Sequence, residues 1–105
     1  MLSTIYLLLA ILLEVAGTTS MKLSQGFTEF WPSVCIFVFY ILSFIFLTLS
    51  LKRLEVGLAY AIWSGLGTLL IAIIGIGFFN EAMTTLKIFS LVLIITGVMG
   101  LRLVN

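Results

Sequence analysis

The sequence has no histidine, one cysteine, one proline and few charges, five basic and four acidic residues in 105. Each scarcity excludes something. Without histidine, and with Cys35 alone, the usual zinc, haem and Cys/His nucleophile chemistries lack their ligands, so neither a metal site nor a cofactor is expected. A lone cysteine closes no disulfide within one chain, and Cys35 reads as small apolar filler. A net charge of +1 excludes the extended basic surface of a nucleic-acid binder. Charged residues make up 9% of the chain, against about 25% in an ordinary soluble domain.

Apolar residues are abundant, at 63%. A soluble domain of this length cannot bury that much apolar surface; lipid as solvent removes the difficulty. The expected fold is an all-α integral membrane protein. A spanning helix needs roughly 20 mainly apolar residues, and four such runs occur, at about 3–21, 30–51, 57–79 and 86–103. They predict a single four-helix transmembrane domain over residues 1–105. The first run lacks a basic leader and a small-residue cleavage pattern, so it is expected to be a retained span.

Short polar connections join the runs. Ser24, Gln25 and Gly26 have turn composition. Pro32 stands near the start of the second helix, where its missing N–H is tolerated. Lys52, Arg53 and Glu55 separate the second and third runs, and Asn80, Glu81, Thr84 and Thr85 the third and fourth. Lys52, Arg53 and Arg102 fall on one side of the membrane, Lys22 and Lys87 on the other. Three basic residues against two is a weak bias under the positive-inside rule. It leaves insertion in both orientations open, and with it an antiparallel, dual-topology homodimer. The alternative is that this small bias suffices to orient the chain.

One charge lies deep inside a run. Glu14 sits near the middle of the first helix, where a carboxylate costs about 3 kcal/mol on insertion scales. Its helical neighbours Ala10, Gly17 and Thr18 are small or polar, as a face toward a bundle interior requires. No span carries a basic residue deep enough to pair with it. The carboxylate can therefore hold a proton or a cation from outside. The plainer reading is a protonated structural glutamate that hydrogen-bonds a neighbouring helix.

Aromatic faces attract cations once water is excluded. Tyr60 and Trp63 share a face of the third helix, Tyr40, Ser43 and Phe44 share one of the second, and Tyr6 lies two turns before Glu14. Together they could wall a cation site. Interface anchoring is the rival explanation; it suits Trp31 at a span edge better than Trp63, two turns inside. Phe37, Phe39 and Phe46 read as lipid-facing filler. Gly65 and Gly67 permit a hinge in the third helix, with close helix packing as the alternative. Ser90, Gly97 and Gly100 make the fourth helix a candidate dimerisation helix. Four helices with one carboxylate make half a site, which a second, oppositely inserted copy would complete.

The run Glu14-Val15-Ala16-Gly17-Thr18-Thr19-Ser20-Met21-Lys22-Leu23-Ser24 resembles the small multidrug resistance exporters. So do Gly57-Leu58-Ala59-Tyr60-Ala61-Ile62-Trp63-Ser64-Gly65-Leu66-Gly67, Gly26-Phe27-Thr28 and Trp31-Pro32-Ser33, and the likeness covers the whole chain. The resemblance implies an antiparallel homodimer in a bacterial inner membrane that exchanges protons for small toxic organic cations. It makes Glu14 the shared proton and substrate group, Tyr60 and Trp63 the binding aromatics, Thr18 and Ser43 the hydroxyl lining, and Tyr40 and Phe44 further aromatics. The drug-exporting branch has the Gly-Thr pair found here as Gly17-Thr18, whereas the guanidinium-exporting branch places Trp soon after the glutamate. Quaternary ammonium and lipophilic cations are therefore the expected substrates. Two departures are Ser90, where many drug exporters have Gly, and Thr4, where they often have Tyr. Guanidinium export, a non-transporting membrane assembly subunit, and one half of a heterodimer are the alternatives.

Overall fold

The computed structural model describes residues 1–104. Most of them lie in four helices: α1 (Leu2–Leu23), α2 (Phe30–Ser50), α3 (Val56–Phe78) and α4 (Thr85–Val104). No strand occurs among the described residues. A helix satisfies its own backbone groups, which lipid cannot do for it. At about 1.5 Å per residue, 20 to 23 residues reach across a hydrocarbon layer ~30 Å thick. All four helices are long and apolar enough to cross a membrane. They fall into two compact units, Met1–Leu54 with α1 and α2, and a second from Glu55 onward with α3 and α4.

In the first unit the two helices pack antiparallel. Tyr6 stacks on Phe46, Ser43 bonds Ala10, and the Tyr40 ring lies over Gly17. Phe46 and Phe39 are thus not lipid-facing filler. Phe46 carries the stacked Tyr6 ring, and the Cβ of Phe39 would stand 3.4 Å from a Cβ placed on Gly17. The buried positions of α1, among them Ser3, Leu7, Ala10, Val15 and Gly17, include many small side chains that let the helices approach.

The α1–α2 connection is wound around Ser24, which is buried. Its hydroxyl donates to the Met21 carbonyl at 2.8 Å and accepts from the Phe27 amide at 3.2 Å. Its carbonyl receives the amides of Thr28 and Glu29. Gln25, Gly26 and Phe27 all have positive φ, and the hydrogen bonds at Ser24 hold the two non-glycine residues there. Pro32 is the third residue of α2, still in the first turn, where no carbonyl waits for its missing N–H. Ser24→Ala should remove an acceptor worth about 1 kcal/mol, and the Phe27 amide should exchange its hydrogen roughly fivefold faster. Unchanged exchange at Phe27 would contradict this role.

In the second unit α3 runs unbroken through Gly65 and Gly67, both buried. A Cβ on Gly65 would lie 2.6 Å from Cγ2 of Val98, so this glycine admits α4 against α3. Close packing is thus one reason for a glycine at position 65. The α3–α4 turn folds back by hydrogen bonds from the Phe79 and Glu81 amides to the Gly75 carbonyl. Thr84 opens α4, its hydroxyl accepting the Lys87 amide at 3.1 Å.

Candidate functional site

Glu14 is half-buried near the middle of α1. Helical spacing puts Thr18 one turn along on the same face, and the Thr18 hydroxyl donates to Oε1 of Glu14 at 3.0 Å. The same hydroxyl meets the Tyr40 hydroxyl of α2. A threonine hydroxyl has one hydrogen and two acceptor lone pairs. With that hydrogen on Glu14, Tyr40 must be the donor to Thr18. The result is a directed chain from Tyr40 through Thr18 to the carboxylate, each link polarising the next. The Met21 sulfur, 3.9 Å from the Tyr40 hydroxyl, then serves as a soft contact.

Gly17 is what allows the chain to close. A Cβ there would lie 2.7 Å from two carbons of the Tyr40 ring, so only glycine lets the ring lie flat enough for its hydroxyl to reach Thr18. Phe44 lies one turn on from Tyr40, its ring centroid 5.9 Å away, and is half exposed. Ser43 is fully buried and donates to the Ala10 carbonyl at 2.7 Å rather than to the carboxylate. In a helix that carbonyl also accepts the Glu14 amide, so Ser43 fixes the backbone one turn before Glu14. Tyr6 turns to Phe46, with centroids 5.8 Å apart.

In the second unit Tyr60 and Trp63 stand on one face of α3, their ring centroids 5.4 Å apart at 55°. Tyr60 is 59% exposed, an open aromatic face. On α4, Ser90, Gly97 and Gly100 are all exposed, and a Cβ on either glycine would meet nothing within 4 Å. Helical spacing puts these three on one side of α4, with Ile94, which approaches Gly65, bordering them. No cluster of three or more metal-ligating side chains occurs among the described residues.

Spacing along α1 was enough to pair Glu14 with Thr18. The Tyr40 link and the seat at Gly17 are contacts between helices, which spacing along one helix does not reveal.

The family model described as Small Multidrug Resistance protein matches residues 2–94. An uncharacterised membrane protein of Bacillus subtilis strain 168, YvaE, is 52% identical over 101 residues, covering 96% of this chain and 85% of its own. The multidrug transporter EmrE of Escherichia coli strain K12 is 46% identical over 101 residues, covering 96% and 92%. The quaternary ammonium compound-resistance protein QacC of Staphylococcus aureus is 38% identical over 99 residues, covering 94% and 92%. With four apolar helices and a match along almost its whole length, this chain belongs to the small multidrug resistance family of membrane transport proteins.

Proposed function

We propose that the protein is a proton-coupled antiporter that exports lipophilic and quaternary ammonium cations from a bacterial cell across its inner membrane. The observation that carries this reading is the lone spanning carboxylate, Glu14, held by Thr18 and Tyr40 with no basic partner in any span. A carboxylate in that setting binds a proton or an organic cation, and not both. Mutually exclusive occupancy suffices to couple two gradients. Protons from the acidic outer side displace the cation, the site turns inward, and the protons leave before another cation binds.

The working unit is an antiparallel homodimer within a single four-helix fold per copy, in which two Glu14 carboxylates share one site. Tyr60 and Trp63 offer ring faces to the bound cation, with Tyr40, Phe44 and Tyr6 as further aromatic walls. Thr18 orients the carboxylate, and Ser43 steadies the α1 backbone beneath it. Gly65 and Gly67 give α3 the freedom to flex between inward and outward states. The α4 stripe of Ser90, Gly97 and Gly100 joins the copies. Supporting this, the stripe is bare in one chain, so Gly97→Leu should leave helix content unchanged while converting dimer to monomer in detergent. A dimer of unaltered stability in light scattering would remove α4 from the interface.

The relatives named for multidrug and quaternary ammonium resistance support the substrate class. In proteoliposomes with an outward-to-inward proton gradient, tetraphenylphosphonium should exchange against protons and guanidinium should not. Guanidinium exchange alone would select the other branch of the family. Exchange of neither would leave an assembly subunit as the better reading.

A further inference from the structure

At the end of the first unit where α1 begins and α2 finishes, a cleft of about 440 Å³ is lined by Ser3, Tyr6, Leu49, Lys52 and Arg53, with Met1 and Leu2 at its edge. Ligand pockets begin at about 300 Å³, so the space is adequate for a small polar group. Two of the chain's five basic residues line it, and no acidic residue does. Both are exposed, and neither pairs with a carboxylate of a described residue. Ser3 lines the same cleft at 7% exposure, and its hydroxyl makes no hydrogen bond to another described residue. Its oxygen keeps some exposure and so remains able to donate to a group held in the cleft. Beside it the first turn of α1 has no side-chain cap, so its leading amides have no acceptor within the helix.

Cationic groups, an unused hydroxyl and unpaired amides call for an anionic acceptor with several oxygens. We propose that this cleft binds the phosphate of an anionic phospholipid headgroup. Lys52 and Arg53 supply the charge and Ser3 a hydrogen bond. A lipid suits the site better than free phosphate, because the cleft opens where two spanning helices end and Leu2 and Leu49 form its apolar wall. Basic clefts at that depth are where acidic headgroups are held. The site is separate from Glu14, and the inference needs only that the chain spans a membrane.

Native mass spectrometry of the full chain in detergent tests it, with dioleoylphosphatidylglycerol and dioleoylphosphatidylcholine supplied at equal mole fraction. The acidic lipid should be retained at least about tenfold more strongly. The Lys52→Gln/Arg53→Gln pair should abolish that preference, and Ser3→Ala should reduce it about threefold. Lys22→Gln removes the same kind of charge at the other end of α1 and should leave the preference intact. Tetraphenylphosphonium binding by each variant, at the parent level, reports that the fold persists. Equal retention of the two lipids would overturn the proposal, as would a loss in Lys22→Gln matching that of the pair. Displacement of the lipid by millimolar inorganic phosphate would assign the cleft to the free anion and overturn the lipid source.

Discussion

Glu14→Gln is expected to weaken tetraphenylphosphonium binding about a thousandfold. A cation held ~4 Å from a carboxylate at an effective dielectric constant of about 20 gains ~4 kcal/mol, which is that factor in affinity. The substitution keeps the shape of the side chain and an oxygen that can accept the Thr18 hydroxyl, now 3.0 Å from Oε1. Helix content and dimerisation should therefore persist while binding is lost. Isothermal titration of the variant in detergent reads the effect. An affinity within tenfold of the parent would mean that the aromatic residues, and not the carboxylate, hold the cation.

Gly17→Ala is expected to destabilise the protein by about 1–3 kcal/mol. In a bare helix the same change stabilises by roughly 1 kcal/mol. The sign reverses because the new methyl would enter the Tyr40 ring at 2.7 Å. The ring must turn, and its hydroxyl then leaves Thr18. Cation binding should weaken along with stability, since the carboxylate loses the chain that orients it. Gly77→Ala is the matched comparison. Gly77 lies near the end of α3, where a Cβ meets nothing within 4 Å, so that variant should be neutral or slightly more stable. Thermal unfolding of both variants in one detergent decides the matter, and equal shifts would show that the Tyr40 contact imposes no strain.

The contrast between these two glycines also marks how far the sequence could be read. Hydropathy identifies four helices because twenty apolar residues have few other fates. Glu14 stands out because every other carboxylate lies between the spans. Its pairing with Thr18 follows from helical spacing alone. The register between α1 and α2 does not follow. The small and polar face of α1 shows which side meets a neighbour, but not which residues of α2 stand opposite it. The register is set instead by the turn at Ser24, where three consecutive residues take positive φ. Glycine at 26 announces a turn; Gln25 and Phe27 in the same conformation are announced by nothing in their side chains. Phe46 looked like filler for the same reason, since an aromatic residue facing lipid and one stacking on Tyr6 are written identically. Gly65 and Gly67 suggested flexing, and only the approach of Val98 reveals why the first of them must be small.

Other features of the chain gain meaning only in company. The exposed stripe on α4 and the open Tyr60 face are surfaces that the second unit by itself leaves uncovered. In the proposed homodimer a second copy covers both, and the weak bias in basic residues leaves its opposite insertion open.

In the proposed mechanism proton and cation compete for Glu14. The most direct measurement is tetraphenylphosphonium binding to purified protein over a range of pH, with proton release followed in weakly buffered solution. Competition predicts that affinity falls as pH falls, that binding releases protons wherever the carboxylates are protonated beforehand, and that Glu14→Gln does neither. Tight binding that is indifferent to pH, with no protons released, would contradict the account.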